Sequence, residues 1–355
     1  MWKFGRSKND DMEVEQEAVA EFVSDKSENS LLKRITFVVL FLIFSFYLLG
    51  VYWSVEPEFF EVNTSDAYLN QGQDKKLIVG YTTLATTEKI ASTMLNKNGG
   101  YLSNDVTPPS VFLDNIPSWE FGVLVQVRDM ASILRNDMSR SQSQSLENAD
   151  LKEAEPLFNN DNTAWLVPRP EGVYSEAIDH LAAFRKELAN PNNPNVQFYA
   201  RADNLRSWLE LVNKRLGGLS QRLSASVGQQ RINTDLSGDS AANQSTQSAG
   251  NISVKTPWFE IDNTFYEARG ACWALIHLLK AIQVDFGPVL EKKNARASLG
   301  QIIRELEATQ ETVWSPMILN GSGFGGLANH SLVMANYISC ANAGLIDLRE
   351  LLSRG

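Results

Sequence analysis

The 355-residue chain holds only two cysteines and three histidines, and that scarcity removes several kinds of chemistry. Cys272 and Cys340 are too far apart for the paired spacing of a zinc site. His180, His277 and His330 do not recur in the Glu-x-x-His pattern that a di-iron bundle needs twice, although Glu176 and His180 lie one helical turn apart. No G-x-S-x-G elbow is present, so a serine-hydrolase triad would rest on free choice among many serines. Dense basic clusters are missing too. With 42 acidic against 32 basic side chains the net charge is −10, a poor balance for displacing counterions from a phosphate backbone. The sequence therefore argues against nucleic acid as a partner, and it indicates no metal, no cofactor and no catalytic residue. No repeat of fixed period is visible either.

Charge is absent altogether from Ile35 to Trp53, a run of 19 residues dominated by Phe, Leu, Val and Ile. At 1.5 Å per residue such a run spans roughly the ~30 Å hydrocarbon core of a bilayer. It is apolar all round, as Phe37 to Ile43 show, whereas a helix packed on the surface of a globular core keeps one polar face. Lys33 and Arg34 precede it, and Tyr52 and Trp53 end it where amphipathic rings favour the headgroup zone. Lys3, Arg6, Lys8, Lys26, Lys33 and Arg34 all fall before the run, while residues 54–74 carry Glu56, Glu58, Glu61, Asp66 and Asp74 instead. The positive-inside rule then predicts a cytoplasmic N-terminus and an extracytoplasmic C-terminal domain. Gly50 to Ser54 lacks a small-x-small cleavage site, which favours an uncleaved signal anchor held in membrane lipid through 35–53. In the tail, Met12, Val19, Phe22 and Val23 fit one face of a short helix, but a solvated tail is the stronger expectation.

The organisation expected is a tail over 1–34, a transmembrane helix over 35–53, a helical region over 54–227, a low-complexity loop over 228–256 and a C-terminal helical region over 257–355. The fold class is mainly α: one N-terminal transmembrane helix followed by a multi-helix extracytoplasmic domain. Helices are predicted from Thr82 to Asn98, where Gly99 and Gly100 follow as a stop signal, over 118–139 with a strand as alternative for 119–127, and over 148–157, 171–189 and 202–226. In the last, Leu205, Trp208, Leu209, Val212, Leu216, Leu219 and Leu223 keep a helical period. Residues 228–256 are rich in Gly, Gln, Asn, Ser and Thr and cannot bury enough apolar surface to offset their ordering entropy. Beyond them, helices are predicted from Pro257 to about Val284, over 288–313 and over 329–352.

Cys272 and Cys340 each sit in a run of small residues, Arg269-Gly270-Ala271-Cys272 and Ser339-Cys340-Ala341-Asn342-Ala343-Gly344. Small residues let helix backbones approach, so the first and third C-terminal helices are expected to cross there. The pair is then either a disulfide, which an oxidising compartment permits, or two buried thiols. Gly321-Ser322-Gly323-Phe324-Gly325-Gly326 matches G-x-G-x-x-G, but no strand precedes it and no βαβ context surrounds it. It reads as a loop rather than a nucleotide site. His277 reads as a packing residue and His330 as the start of the last helix.

The Pro-rich stretch 99–120 is the best candidate surface, with Asn104, Asp105, Asp114, Trp119 and Glu120 as polar or aromatic groups, and Arg140 as a further polar contact near Ser139–Ser145. Carboxylates beside an aromatic platform suit glycan cleavage. Ordinary turn and cap chemistry is the simpler reading of the same residues.

Several longer stretches, Gly99 to Asp105, Asp114 to Gly122, Ser139 to Ser145, Tyr199 to Leu205 and Tyr52 to Pro57, resemble the bacterial domain of unknown function 2333 family over nearly the whole chain. The resemblance implies a Gram-negative envelope, so that the outer region would be periplasmic. It brings no assigned activity, cofactor or catalytic residue. The expectation is thus an inner-membrane protein with a structural or interaction role in the envelope and an envelope protein as partner. A glycan-acting enzyme using carboxylates in 99–120 is the alternative.

Overall fold

The computed structural model describes residues 32–71, 74–142, 146–193, 196–232, 251–315 and 317–354. The tail, for which a short helix and a solvated segment are the alternatives, and most of the low-complexity segment lie outside the described residues. The chain divides into two units, Met1–Trp53 and Ser54–Gly355.

In the first unit, α1 (Leu32–Trp53) is long and apolar enough to cross a membrane. Its apolar side chains, Phe37 to Ile43 among them, are exposed on every face. The hydroxyl of Ser45 is satisfied locally by donating to the carbonyl of Phe41 at 2.8 Å. The helix begins three residues before the predicted span, so Lys33 and Arg34 belong to its first turn.

Among the described residues, the regular structure of the second unit is helical apart from two antiparallel hairpins. The first is β1 (Tyr68–Gln71) with β2 (Asp74–Leu77). Then follow α2 (Tyr81–Asn96), α3 (Asn115–Ile133), α4 (Ala149–Phe158), α5 (Pro170–Leu188) and α6 (Ala202–Ser224). A hairpin of β3 (Gln229–Ile232) and β4 (Asn251–Val254) leads to α7 (Ile261–Asp285), α8 (Gly287–Lys292), α9 (Arg296–Ala308) and α10 (His330–Ser353). The flanks of the expected low-complexity loop are thus paired, Gln229 opposite Val254.

Hydrophobic periodicity accounts for most of this. All seven apolar residues read on α6 are buried on one face. Segment 119–127 is helical, and the chain over 134–138 widens into a π turn at the end of α3. Helix α7 is buried at every position from Ala268 to Leu279, which marks it as the central helix. Apolar residues from Leu84 on α2 to Leu352 on α10 form one continuous core, so the regions before and after the loop share an interior.

Two predicted helices differ in detail. The one expected at Pro257 opens as a 3-10 turn, Trp258–Glu260, before α7 proper. The one expected over 288–313 is split into α8 and α9 at Asn294, whose φ of 52° ends the first. Asparagine tolerates this left-handed conformation because its short polar side chain bonds locally.

The α3–α7 crossing sets the geometry of the core. A Cβ on Gly122 would lie 2.1 Å from the carbonyl oxygen of Glu267, and one on Gly270 would lie 2.1 Å from that of Trp119. Each helix therefore presents a glycine to the backbone of the other, and Trp119 and Trp273 fill the interface with ring centroids 5.2 Å apart. This corrects the expected meeting of the two cysteine-bearing runs. The run at Gly270 faces α3, while Gly344 on α10 faces Ile302 of α9.

Candidate functional site

The expected surface over 99–120 is exposed in part, at 106–108 and 111–112, but several of its named residues are interior. Trp119 and Glu120 are fully buried. The Glu120 carboxylate accepts hydrogen bonds from the backbone N–H of Leu102 and of Ser103, each at 2.8 Å, and from the Ser103 hydroxyl, and it pairs with the Lys97 ammonium. Burial raises its pKa, with the Lys97 charge opposing that shift. A carboxylate so engaged holds the loop after α2 in place and is shut off from any substrate. Asn104 is also buried and donates to the carbonyl of Ala164 at 3.3 Å and to Glu171 at 3.0 Å. Asp105 is half-buried in the same loop, whereas Asp114 is exposed at the start of α3, near Asp262. With Trp119 and Glu120 interior, neither the aromatic platform nor the Glu120 carboxylate of a glycan site is presented at this surface.

Arg140 and the stretch after it serve a similar purpose. Arg140 approaches Glu147 at 3.7 Å. Its carbonyl and that of Ser141 accept from the Arg201 guanidinium at 3.1 and 2.9 Å. Asn204 adds bonds to the carbonyls of Asp137 and Tyr199. Irregular backbone inside a fold must find partners for its polar groups. The stretch 99–105 finds them in Glu120, the carbonyls of Arg140 and Ser141 in Arg201, and those of Asp137 and Tyr199 in Asn204.

The two cysteines are free. Cys272 is buried beside Thr309, with its thiol pushed up to about 12 by burial, and Cys340 is exposed on α10. Of the two alternatives, a bridge or two buried thiols, the structure holds free thiols of which only Cys272 is buried, and the two small-residue runs serve different crossings. His180 pairs with Asp150 through Nδ1 at 3.0 Å. The glycine-rich stretch is a loop closed by a bridge between Asn320 and Asn329. Asn329 also caps α10 by accepting from the N–H of Leu332 at 2.8 Å.

The most elaborate polar constellation is one that local spacing did not reveal. It joins residues 54–60 to α7. Arg269 donates from Nε and Nη2 to the Glu56 carboxylate at 2.9 and 2.7 Å, and from Nη1 to the carbonyls of Thr309 and Glu311 at 3.2 and 2.9 Å. Those carbonyls lie just past α9, where unpaired oxygens and the helix dipole favour a cation. Two turns further along α7, the Phe60 ring stacks on the His277 imidazole at 3.9 Å. The ring nitrogens divide their roles: Nδ1 donates to the Trp273 carbonyl at 2.7 Å, and Nε2 accepts from the Phe60 N–H at 3.2 Å. That arrangement requires a neutral ring, and burial lowers the His277 pKa to about 4. The segment Ser54–Phe60 is thus a strap fastened at Glu56 and at Phe60. Only Ser54 and Val55 separate Glu56 from the last residue of α1.

Beside Arg269 opens an apolar recess of about 250 Å³ lined by Phe265, Val313, Trp314, Val333 and Met334, with His330 at its rim. Because the Arg269 donors are committed to Glu56 and to carbonyls, the recess suits an apolar group rather than an anion. A second, more polar groove of about 470 Å³ runs between Ser103, Phe121, Arg222 and Glu267.

Fold and strap together define a class: a helical domain whose entering segment, next in sequence to an apolar helix, is bolted to its central helix. The chain belongs to a bacterial family described as "Uncharacterized protein conserved in bacteria (DUF2333)", whose sequence profile matches residues 25–355. No curated protein and no solved structure matches it.

Proposed function

We propose that the chain is a single-span protein of the bacterial inner membrane. Its N-terminus is cytoplasmic, and its helical domain is held on the periplasmic side as a non-catalytic interaction module. The observation that carries this reading is the strap. A domain joined by a flexible linker would leave the residues after α1 solvated, whereas Glu56 and Phe60 are tied to α7 by a bidentate ion pair and a stacked, hydrogen-bonded histidine. The folded domain therefore begins within three residues of the end of α1 in sequence. The distribution of Lys and Arg around α1 supports the orientation.

Topology is tested with Leu146→Cys in a Cys340→Ser background, since Leu146 is exposed in the loop before α4. A membrane-impermeant maleimide should label it in cells with a permeabilised outer membrane. Labelling only after lysis would reverse the orientation. The interaction role is tested by a photo-crosslinking residue at Phe121 in the polar groove, which should trap one envelope protein reproducibly across membrane preparations. Recovery of uncrosslinked chain alone counts against that role.

A further inference from the structure

The recess beside Arg269 is lined by the start of a stretch that carries no charge in an otherwise acidic molecule. From Thr312 to Ile346 the sequence holds no Asp, Glu, Lys or Arg over 35 residues. Within that stretch Trp314 is 94% exposed, Phe324 fully exposed, and Met317 and Leu327 largely so. The bridge between Asn320 and Asn329 closes a finger with Phe324 near its tip, and the Leu319 N–H donates to His330 Nδ1 at 3.1 Å to fix its base. Val333, one turn into α10, is exposed beside Trp314 at the recess. Exposed Trp and Phe on a polar protein mark a contact surface.

Position and charge select the occupant. The Glu311 carbonyl and the Glu56 carboxylate are held by one side chain, Arg269, so the Trp314 loop departs from the spot where the strap is fastened. Glu56 in turn follows α1 by three residues. An uncharged stretch with exposed aromatic and aliphatic side chains, in a chain of net charge −10, suits a zwitterionic lipid interface, where no opposite charge is needed and indole rings settle among headgroups. We propose that Trp314, Met317, Phe324 and Leu327 dock into the outer leaflet of the bilayer that α1 spans. The domain would then rest on lipid at a second point besides its anchor. This rests on the anchor reading given above.

The test uses the full chain in phosphatidylcholine vesicles, carrying Cys340→Ser and either Phe324→Cys or Leu146→Cys. Both sites bear the same environment-sensitive dye; buried Cys272 stays unlabelled. Flotation with the vesicles after an alkaline wash reports the anchor by itself, and failure to float overturns both readings. With the chain afloat, the label at 324 should shift to the blue, lose quenching by iodide and gain quenching by brominated acyl chains. The equally exposed position 146 should do none of these. Equal iodide quenching at the two positions overturns docking while leaving the anchor standing. Protection at 324 that grows with protein density, without bromine quenching, shows a second copy on the patch and also overturns it.

Discussion

Acidification should loosen the strap. In the folded chain His277 is neutral, with a pKa lowered to about 4 by burial among Phe60 and Trp273, against an ordinary value of 6.5. Protonation would turn Nε2 into a donor facing the Phe60 N–H, and would place a cation near Lys280, which already disfavours one, and near Lys89, which lies over the Phe60 ring. The folded pKa lies below the unfolded one, so this contribution to stability is fully present above pH 6.5. It is lost as pH falls from there towards 4. A shift of that size corresponds to about 3 kcal/mol. Burial raises the pKa of Asp285, Glu88 and Glu120, so these groups favour the folded state as pH falls, and they partly mask the effect. The comparison is therefore with His277→Gln, whose amide oxygen still accepts from Phe60 but cannot titrate. Urea unfolding of both chains at about pH 7 and about pH 4.5 isolates the histidine. The wild type should lose roughly 2–3 kcal/mol more than the variant over that interval. Equal pH slopes would refute the assignment of His277 as a neutral fastener.

Replacing Arg269 by Ala should expose Ser54–Phe60 to limited proteolysis and cost about 3–5 kcal/mol, the usual penalty for breaking a partly buried ion pair. Arg269→Lys should restore little, since one ammonium cannot serve Glu56 and the carbonyls after α9 together. Gly270→Ala should destabilise by about 1–3 kcal/mol or more through the clash with Trp119. Gly218→Ala on α6, where nothing stands within 4 Å, should stabilise by up to about 1 kcal/mol, and thermal melts of the pair read the opposite signs. Thiol titration should find Cys340 reactive in the folded chain and Cys272 only after denaturation; one thiol or none in denaturant would mean a bond the structure lacks.

Most helices were legible because each has one buried face, and periodicity reports that directly. The break at Asn294 was legible in principle, since an asparagine between Lys293 and Ala295 is a usual site for positive φ. The burial of Glu120 was legible as well. Ile116, Glu120, Val123 and Val127 follow one another at spacings of four, three and four, so the carboxylate shares the apolar stripe of α3. Its proline-rich surroundings suggested a surface instead. The partner of each small-residue run could not be read, because glycine and alanine announce a close approach without naming what approaches. The strap was illegible for a related reason. Glu56 and Arg269 lie 213 residues apart, and Phe60 and His277 217, so no local pattern links them.

Those separations also set an order of events during synthesis. At about 5–20 residues per second, roughly 10–40 s pass between the emergence of Glu56 and that of its guanidinium partner. Through that interval α3 has no central helix to cross, and Gly122 and Trp119 have nothing to meet. The first half of the domain is therefore made before the helix that completes its core, and the strap can close only once α7 arrives.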